Sequence, residues 1–382
     1  RSSGRTLHRH DWSLVVKSAI LMPYCPLPAD HGGKRVMWEC AELLRDMGPC
    51  RILSAATRPV GGGWTPVIRT DLEKKGYEVV LREDSVSRLS PRMALGYLWG
   101  LGFKGLGLDQ AFGHANPYHR WAFPERWLRE NTADVDLVVI SYSFWSHLQT
   151  SCPKALLLLD LWSDTTWTHV RRETHDIADC DLVIVISKDE EKRLNQRGVL
   201  HTLWQPPGVP LWDVPMTDAV GLVGSGSAYN REGLQWLAAA QRAEGPRVRV
   251  YGGLARHADA ECFDVVGRYE DDGQPYAECG IMLMTTTLGM GVQVKTVEAL
   301  ASGRVVIARR GAMRGIPPSD TAWIEVDTPE QMHAEAARLH KDAGAREAQG
   351  KLARTYYRRY LDSVRIREAL KGRLQQLVTD TI

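Results

Sequence analysis

Short apolar runs alternate with amphipathic stretches along most of the chain. That is the pattern of strands covered on both faces and helices packed over them. Residues 12–22 read as a first strand, ended by Pro23. Residues 26–35 form a loop with Pro26, Pro28, Gly32 and Gly33, and 36–47 follow as a helix. Strand, Pro/Gly loop and helix in that order make one unit of a doubly wound sheet. Residues 51–55, 77–81, 134–141, 155–160 and 181–187 are the further strands this pattern predicts. Ser187 is placed to cap the next helix, with Glu190 as its capping-box partner. A second α/β series begins with strand 219–224, loop 225–230 and helix 231–241, followed by strands 247–252 and 278–284. Residues 328–377 are helical and charged.

The densest signal is residues 281–308. A short apolar run ends near Met284, and Gly289 and Gly291 then let backbone amides approach a ligand closely. Helical spacing starts near Val292. Val294, Val297 and Ala301 make an apolar stripe, with Lys295, Glu298 and Ser302 as a polar stripe beside it. Gly303 is the C-terminal stop, and 305–308 the next strand. A glycine turn feeding a helix N-terminus suits an anion, because free N–H groups and the helix dipole point at it. Lys295 adds a positive charge, and Glu298 can accept two hydroxyl protons. The combination suits a diphosphate followed by a ribose. The same two side chains also fit a surface i, i+3 ion pair worth roughly a few tenths of a kcal/mol. The glycine turn and the abrupt stop favour the ligand. Gly32 and Gly33, at the start of the first helix, are either a second phosphate cradle or ordinary loop glycines.

A length of 382 residues predicts two domains. The expected division is 1–205, a proline-rich linker over 206–216, 217–353, and a C-terminal helix over 354–382 able to cross back to the first domain. Residues 1–11 are expected to be a disordered basic lead. Hydrophobic content of 44% and charged content of 25% are those of a soluble globular protein, and a net charge of +2 implies no polyanion partner. Seven scattered cysteines without a CxxC pair point to a reducing, cytoplasmic compartment. Residues 14–22 are apolar but carry Lys17 and are too short to span a bilayer. Residues 90–127, rich in glycine and aromatics, read as an irregular helix, an acceptor loop or a peripheral membrane contact. Eleven of the thirteen tryptophans precede residue 213, which fits either stacking on sugar rings or core packing. The two Asp-x-Asp or Asp-Asp candidates, Asp134 with Asp136 and Asp271 with Asp272, read as solvated turns, so no metal site is expected.

The spacing of Gly289, Gly291, Lys295, Glu298, Gly303, Gly311, Arg314 and Gly315 resembles the donor-site segment of GT-B glycosyltransferases, most of all family 4 and its close relatives. Pro26, Pro28, Gly32 and Gly33 are similar to the family's first loop. Val223, Gly224, Tyr229, Asn230, Gly233 and Trp236 are similar to the opening loop and helix of its second domain, and 266–269 to the segment over the donor base. The resemblance implies an α/β chain of two Rossmann-like domains facing across a cleft. It implies a Leloir glycosyltransferase, hexosyl or related, that retains anomeric configuration. It further implies a nucleotide-diphosphate sugar as donor substrate, with no cofactor and no metal. The acceptor would be a glycan, a lipid-linked molecule, a natural product or another hydroxyl compound.

Roles carried over by the resemblance are specific. Lys295 would bind the donor phosphates and Glu298 the ribose. Gly289, Met290 and Gly291 would offer amides, with Gly32 and Gly33 doing so from the other domain. Tyr269 would cover the base, and Arg231 is the basic residue nearest the opening loop. His31 joins Lys295 and Glu298 as a catalytic candidate. Asp160, Asp164, Trp162 and His114 are the candidates for the acceptor and sugar side. Departures from the family are Met290 where many relatives carry Glu, Thr287 where Arg often stands, and aspartates where a histidine often follows the strand. They keep two alternatives open, a non-catalytic nucleotide-sugar-binding relative and a GT-B-fold nucleotide-sugar epimerase. A nicotinamide-dependent oxidoreductase is disfavoured, since Tyr229 stands where the dinucleotide fingerprint of Gly224 and Gly226 needs a third glycine.

Overall fold

A computed structural model describes residues 15–29, 32–56, 62–82, 123–162, 170–240, 245–289 and 291–381. The expectations for 1–11, most of 90–127, His31, His114, Asp164 and Met290 lie outside them. The chain divides into two compact units. One comprises Arg1–Leu157, Trp162–Val183 and Ala369–Ile382, and the other Leu158–Leu161 and Ile184–Glu368.

The first sheet has seven strands: β1 (Ser18–Met22), β2 (Cys50–Ala55), β3 (Tyr77–Arg82), β4 (Leu137–Ser141), β5 (Lys154–Leu158), β6 (Leu182–Val185) and β7 (Thr202–Trp204). Their order is β3-β2-β1-β4-β5-β6-β7. β1 pairs in parallel with β2 and β4, with Ile20 opposite Ile52 and Val139. The residues of β1, β4, β5 and β6 are buried throughout, as the continuous apolar runs predict for a sheet covered on both faces. Helices α1 (Gly32–Met47), α2 (Pro66–Lys74), α3 (Glu125–Thr132), α4 (Val170–Ala178) and α5 (Lys188–Gln196) connect the strands. The strand order reverses between β1 and β4, so loops after these two strands flank the switch point where open α/β sheets bind ligands.

The second sheet has six strands: β8 (Val220–Val223), β9 (Val248–Tyr251), β10 (Asp264–Gly267), β11 (Ile281–Met284), β12 (Val305–Arg309) and β13 (Ile324–Val326). Their order is β10-β9-β8-β11-β12-β13, with neighbouring strands parallel and the reversal between β8 and β11. The helices here are α6 (Ala228–Ala238), α7 (Gln274–Glu278), α8 (Val294–Ala301), α9 (Pro329–Lys341) and α10 (Ala343–Tyr360), and α11 (Ser363–Thr379) ends the chain. Val297, Ala299, Leu300 and Ala301 of α8 are fully buried, with each Val or Leu contributing roughly 1.5–3 kcal/mol. Among the described residues, no helix is long and apolar enough to cross a membrane.

Three local expectations change. α6 begins at Ala228, not 231, because Ser227 Oγ accepts from Asn230 N at 3.3 Å and caps it there. Ser187 Oγ does accept from Glu190 N, at 3.5 Å, but Glu190 Oε1 accepts from Leu161 N at 3.1 Å, so its carboxylate serves the segment after β5. Asp160 lies two residues beyond β5 and not within it.

The segment 205–216 has no helix or strand, and two arginines hold it. Arg304, 2% exposed, donates to Pro215 O at 2.7 Å and Val214 O at 2.8 Å. Arg354 donates to Trp212 O at 3.0 Å and pairs with Asp213 at 3.1 Å. α10 passes close to the end of α8: a Cβ on Gly350 would lie 2.4 Å from Gly303 O.

Candidate functional site

The switch point of the second sheet brings together the loop after β8 and the loop after β11. β11 delivers Thr285 and Thr286, both buried, to its C-terminal end. Gly289 and Gly291 then turn the chain with φ of 102° and 65°, which L side chains rarely adopt. A Cβ on Gly291 would meet Ile186 Cδ1 at 3.1 Å. α8 starts at Val294, two residues after the helical spacing does. Gln293 at its N-cap makes no cap bond with its side chain. Its Nε2 instead donates to Thr286 O and Ala312 O, each at 2.9 Å, tying the turn to the loop after β12. Arg314 does the same from the other side, donating to Thr286 O at 3.0 Å and Leu288 O at 2.8 Å. The glycine turn is thus fixed by two side chains.

Lys295 extends under the loop after β8. Its Nζ donates to Asn230 Oδ1 at 3.0 Å, Val223 O at 3.1 Å and Thr286 Oγ1 at 3.3 Å. Thr286 Oγ1 in turn donates to Asn230 Oδ1 at 2.9 Å, and Asn230 Nδ2 is held by Ser225 O and Oγ. Burial pushes the Lys295 ammonium down to about 7, the Arg314 charge adds to this, and Glu298 opposes it. The free protein therefore does not hold the full charge that the sequence suggests near neutral pH.

Glu298 points elsewhere. It is 7% exposed, and its Oε2 accepts from Tyr276 Oη at 2.7 Å. The Lys295 ammonium and the Glu298 carboxylate thus take separate partners, and the i, i+3 surface pair is not formed. Ser302, third on the polar stripe, is buried and donates to Glu298 O at 2.7 Å. Gly303 ends α8 with φ of 62°, as its position predicts.

The other expected residues divide by location. Arg231 donates to Gly226 O at 3.2 Å and so braces the loop after β8. Tyr269 packs edge-on against Tyr251, with ring centroids 6.4 Å apart. Gly32 and Gly33 open α1 in the first unit. Asp160 is half-buried, and burial pushes its carboxyl up to about 7. Of the aspartates read as solvated turns, Asp134 pairs with Lys17 and Arg51, Asp136 accepts from Lys17 N, and Asp271 accepts from Gly273 N. Among the described residues, no group of three or more His, Cys, Asp or Glu gathers as a metal site.

Trp162 belongs to a larger aromatic group at the switch point of the first sheet. It stacks on Phe144 at 5.2 Å, and Phe144 stacks on Tyr142 at 5.9 Å. Tyr142 and Tyr24 share a hydrogen bond of 2.9 Å. Glu173, 5% exposed, accepts from both Ser143 Oγ at 2.7 Å and Trp162 N at 3.1 Å, tying the two aromatic loops together. Tyr142 has φ of 69°, costly for a residue with a side chain and a mark of functional loops.

Sequence reasoning missed Thr286, Tyr276 and Tyr142 as members of these sites, and named Asn230 only as part of the opening segment of the second series, with no partner. The three-residue spacing from Ser227 to Asn230 is a cap signal that would have placed Asn230 in the first turn of α6. Nothing in the sequence marks Tyr276, which meets α8 only through the fold.

No family model matches the sequence, and no curated protein matches it. Solved structures do. HepE of Anabaena, in complex with UDP and glucose, is 16% identical with a TM-score of 0.67, over 94% of this chain and 100% of its own. Sucrose-phosphate synthase of Thermosynechococcus elongatus is 15% identical with a TM-score of 0.68, over 96% and 100%. A variant of TarM from S. aureus, in complex with fondaparinux, alpha-GlcNAc-glycerol and UDP, is 12% identical with a TM-score of 0.62, over 95% and 99%. At these identities the likeness is one of fold, and the chain has the α/β fold of two Rossmann-like units that GT-B glycosyltransferases share.

Proposed function

We propose that the protein transfers a glycosyl group from a nucleoside-diphosphate sugar to an acceptor hydroxyl, with retention and without a metal. The observation that carries this reading is the placement of Lys295 and Glu298 one turn apart on α8, the helix that follows the glycine turn at the switch point of the second sheet. Lys295 and the amides of the glycine turn would take the diphosphate, and Glu298 the ribose. Tyr269 and Arg231 are assigned to the base and the loop beside it. The bond from the anomeric carbon to the diphosphate breaks, and one to the acceptor oxygen forms. The acceptor proton leaves to the departing diphosphate, so no protein nucleophile is needed. The positive charge and N–H dipoles stabilise the charge that develops on the leaving group. Several similar folds were solved with UDP, and one with a GlcNAc-glycerol, which fits a nucleotide donor and a glycan-like acceptor.

Acceptor recognition is assigned to the first unit, where Trp162, Phe144 and Tyr142 offer aromatic faces suited to a sugar ring. Asp160 is assigned to the sugar. Gly32, Gly33, His31, His114 and Asp164 keep the roles that the resemblance gives them. The test is release of nucleoside diphosphate from a panel of nucleotide sugars, with and without candidate acceptors and with EDTA. Release that depends on an acceptor and survives EDTA is expected. Binding without release on any acceptor favours the non-catalytic reading, and loss of the rate in EDTA removes the metal-free one.

A further inference from the structure

Glu298 does not set its own direction. Tyr276 Oη donates to Glu298 Oε2 at 2.7 Å and reaches Lys295 O at 3.4 Å, so one hydroxyl touches both residues of the α8 pair. The Tyr276 ring is 1% exposed and stacks on Trp212 at 5.6 Å, with the planes 14° apart. Trp212 sits in the aperiodic segment before β8 and is itself held, its carbonyl accepting from Arg354 at 3.0 Å. Arg304 fixes the same segment two residues on, at Val214 O and Pro215 O. A buried carboxylate with a wrong rotamer presents its oxygens in the wrong place, and a charge-assisted bond of this length fixes the rotamer.

We propose that Tyr276, backed by Trp212, is a positioning residue that aims Glu298 at the ribose hydroxyls of the donor. This rests on the donor-site reading. Tyr276 touches no substrate; it sets how well the protein tells a ribose from a sugar lacking those hydroxyls. A ring that only filled the core would stabilise the unit without bearing on that distinction.

The experiment measures dissociation constants of ADP, GDP, UDP and CDP for the full chain by calorimetry. The tightest of these is then compared with its 2′,3′-dideoxy counterpart. Wild type is expected to prefer the ribonucleotide at least tenfold. Tyr276→Phe is expected to bring that preference within about threefold by weakening only the ribonucleotide, with dideoxy affinity unchanged. Trp212→Leu keeps the hydroxyl and removes only its backing, and is expected to reduce the preference by a smaller factor. Thermal melting checks that both variants are folded. A Tyr276→Phe protein that keeps the full preference, or weakens both ligands equally, overturns the proposal and leaves the donor site standing. Wild type that binds none of the four overturns the donor-site reading itself, and the proposal with it.

Discussion

Lys295 Nζ and Asn230 Oδ1 lie 3.0 Å apart, across the switch point of the second sheet. Asn230 supplies a dipole but no charge, so nothing in this pair offsets the cost of burying an ammonium. That is why Lys295 is pushed down to about 7. An arriving diphosphate supplies the missing charge and draws a proton onto Lys295. Affinity for a nucleoside diphosphate should therefore fall as pH rises from 8 to 10, by up to about tenfold per unit. Calorimetry in two buffers of different ionisation heat should show proton uptake on binding at pH 8. The folded pKa lies below the unfolded value of 10.5, so the unfolded chain binds more protons between about pH 7 and 10.5. Wild-type stability should gain on that of Lys295→Met as pH rises through this window. A flat difference would show that Lys295 is not desolvated.

Lys295→Ala and Glu298→Ala should each weaken nucleoside-diphosphate binding at least tenfold, about 1.4 kcal/mol. Their melting temperatures should stay within a few degrees of wild type. If both bind as wild type does, α8 is not the donor wall.

Gly315 and Gly311 separate strain from steric fit. Both have positive φ, 80° and 84°. A Cβ on Gly311 would meet nothing within 4 Å, whereas on Gly315 it would lie 2.6 Å from Val292 Cγ2, 3.0 Å from Gly291 O and 3.0 Å from Ser187 Oγ. Gly311→Ala should cost about 1–2 kcal/mol, the left-handed penalty alone. Gly315→Ala should cost clearly more in urea denaturation and should also loosen diphosphate binding, since it pushes on the Gly291 turn.

The strand–helix alternation was legible because both sheets are parallel and covered on both faces, which turns each central strand into an unbroken apolar run. Residues 281–284 and 305–308 are recovered almost to the residue for that reason. β10, at the sheet edge with Asp264, Val265 and Val266 exposed, has no such run and was not predicted. β7 and β13, of three residues each, are too short to carry a period. At the site, Gly289, Gly291, Lys295 and Glu298 share one loop and helix, so their spacing carries the signal. Asn230 and Tyr276 lie 65 and 22 residues from the side chains they hold, and no local pattern records such contacts.

Arg304→Met should destabilise the protein by about 2–4 kcal/mol, because it leaves two carbonyls, Pro215 and Val214, short of a donor and takes one of two donors from Ser302 O, which keeps Arg354. Arg310→Met is the control. Its side chain is 66% exposed and pairs with Glu325 and Asp327, a solvent-screened surface arrangement that contributes little to stability. Equal losses in urea denaturation would mean that the 205–216 segment is not held from Arg304.

Asp160 gives a prediction in which stability and function move in opposite directions. Burial alone pushes its carboxyl up to about 7. A folded pKa above the unfolded one means that the folded chain binds more protons between about pH 4 and 7, so this group takes stability away as pH rises through that window. Asp160→Asn has no charge to bury. It should match wild type near pH 4 and be more stable by pH 8, by on the order of 1–3 kcal/mol, with the gap growing at no more than about 1.4 kcal/mol per unit. Asp160 is also the carboxylate assigned to the sugar. The Asn variant should therefore lose at least tenfold in glycosyl transfer while gaining in urea resistance. No gain in stability at pH 8 would show that the carboxylate is well solvated. A stabilised variant with full turnover would remove Asp160 from the sugar side.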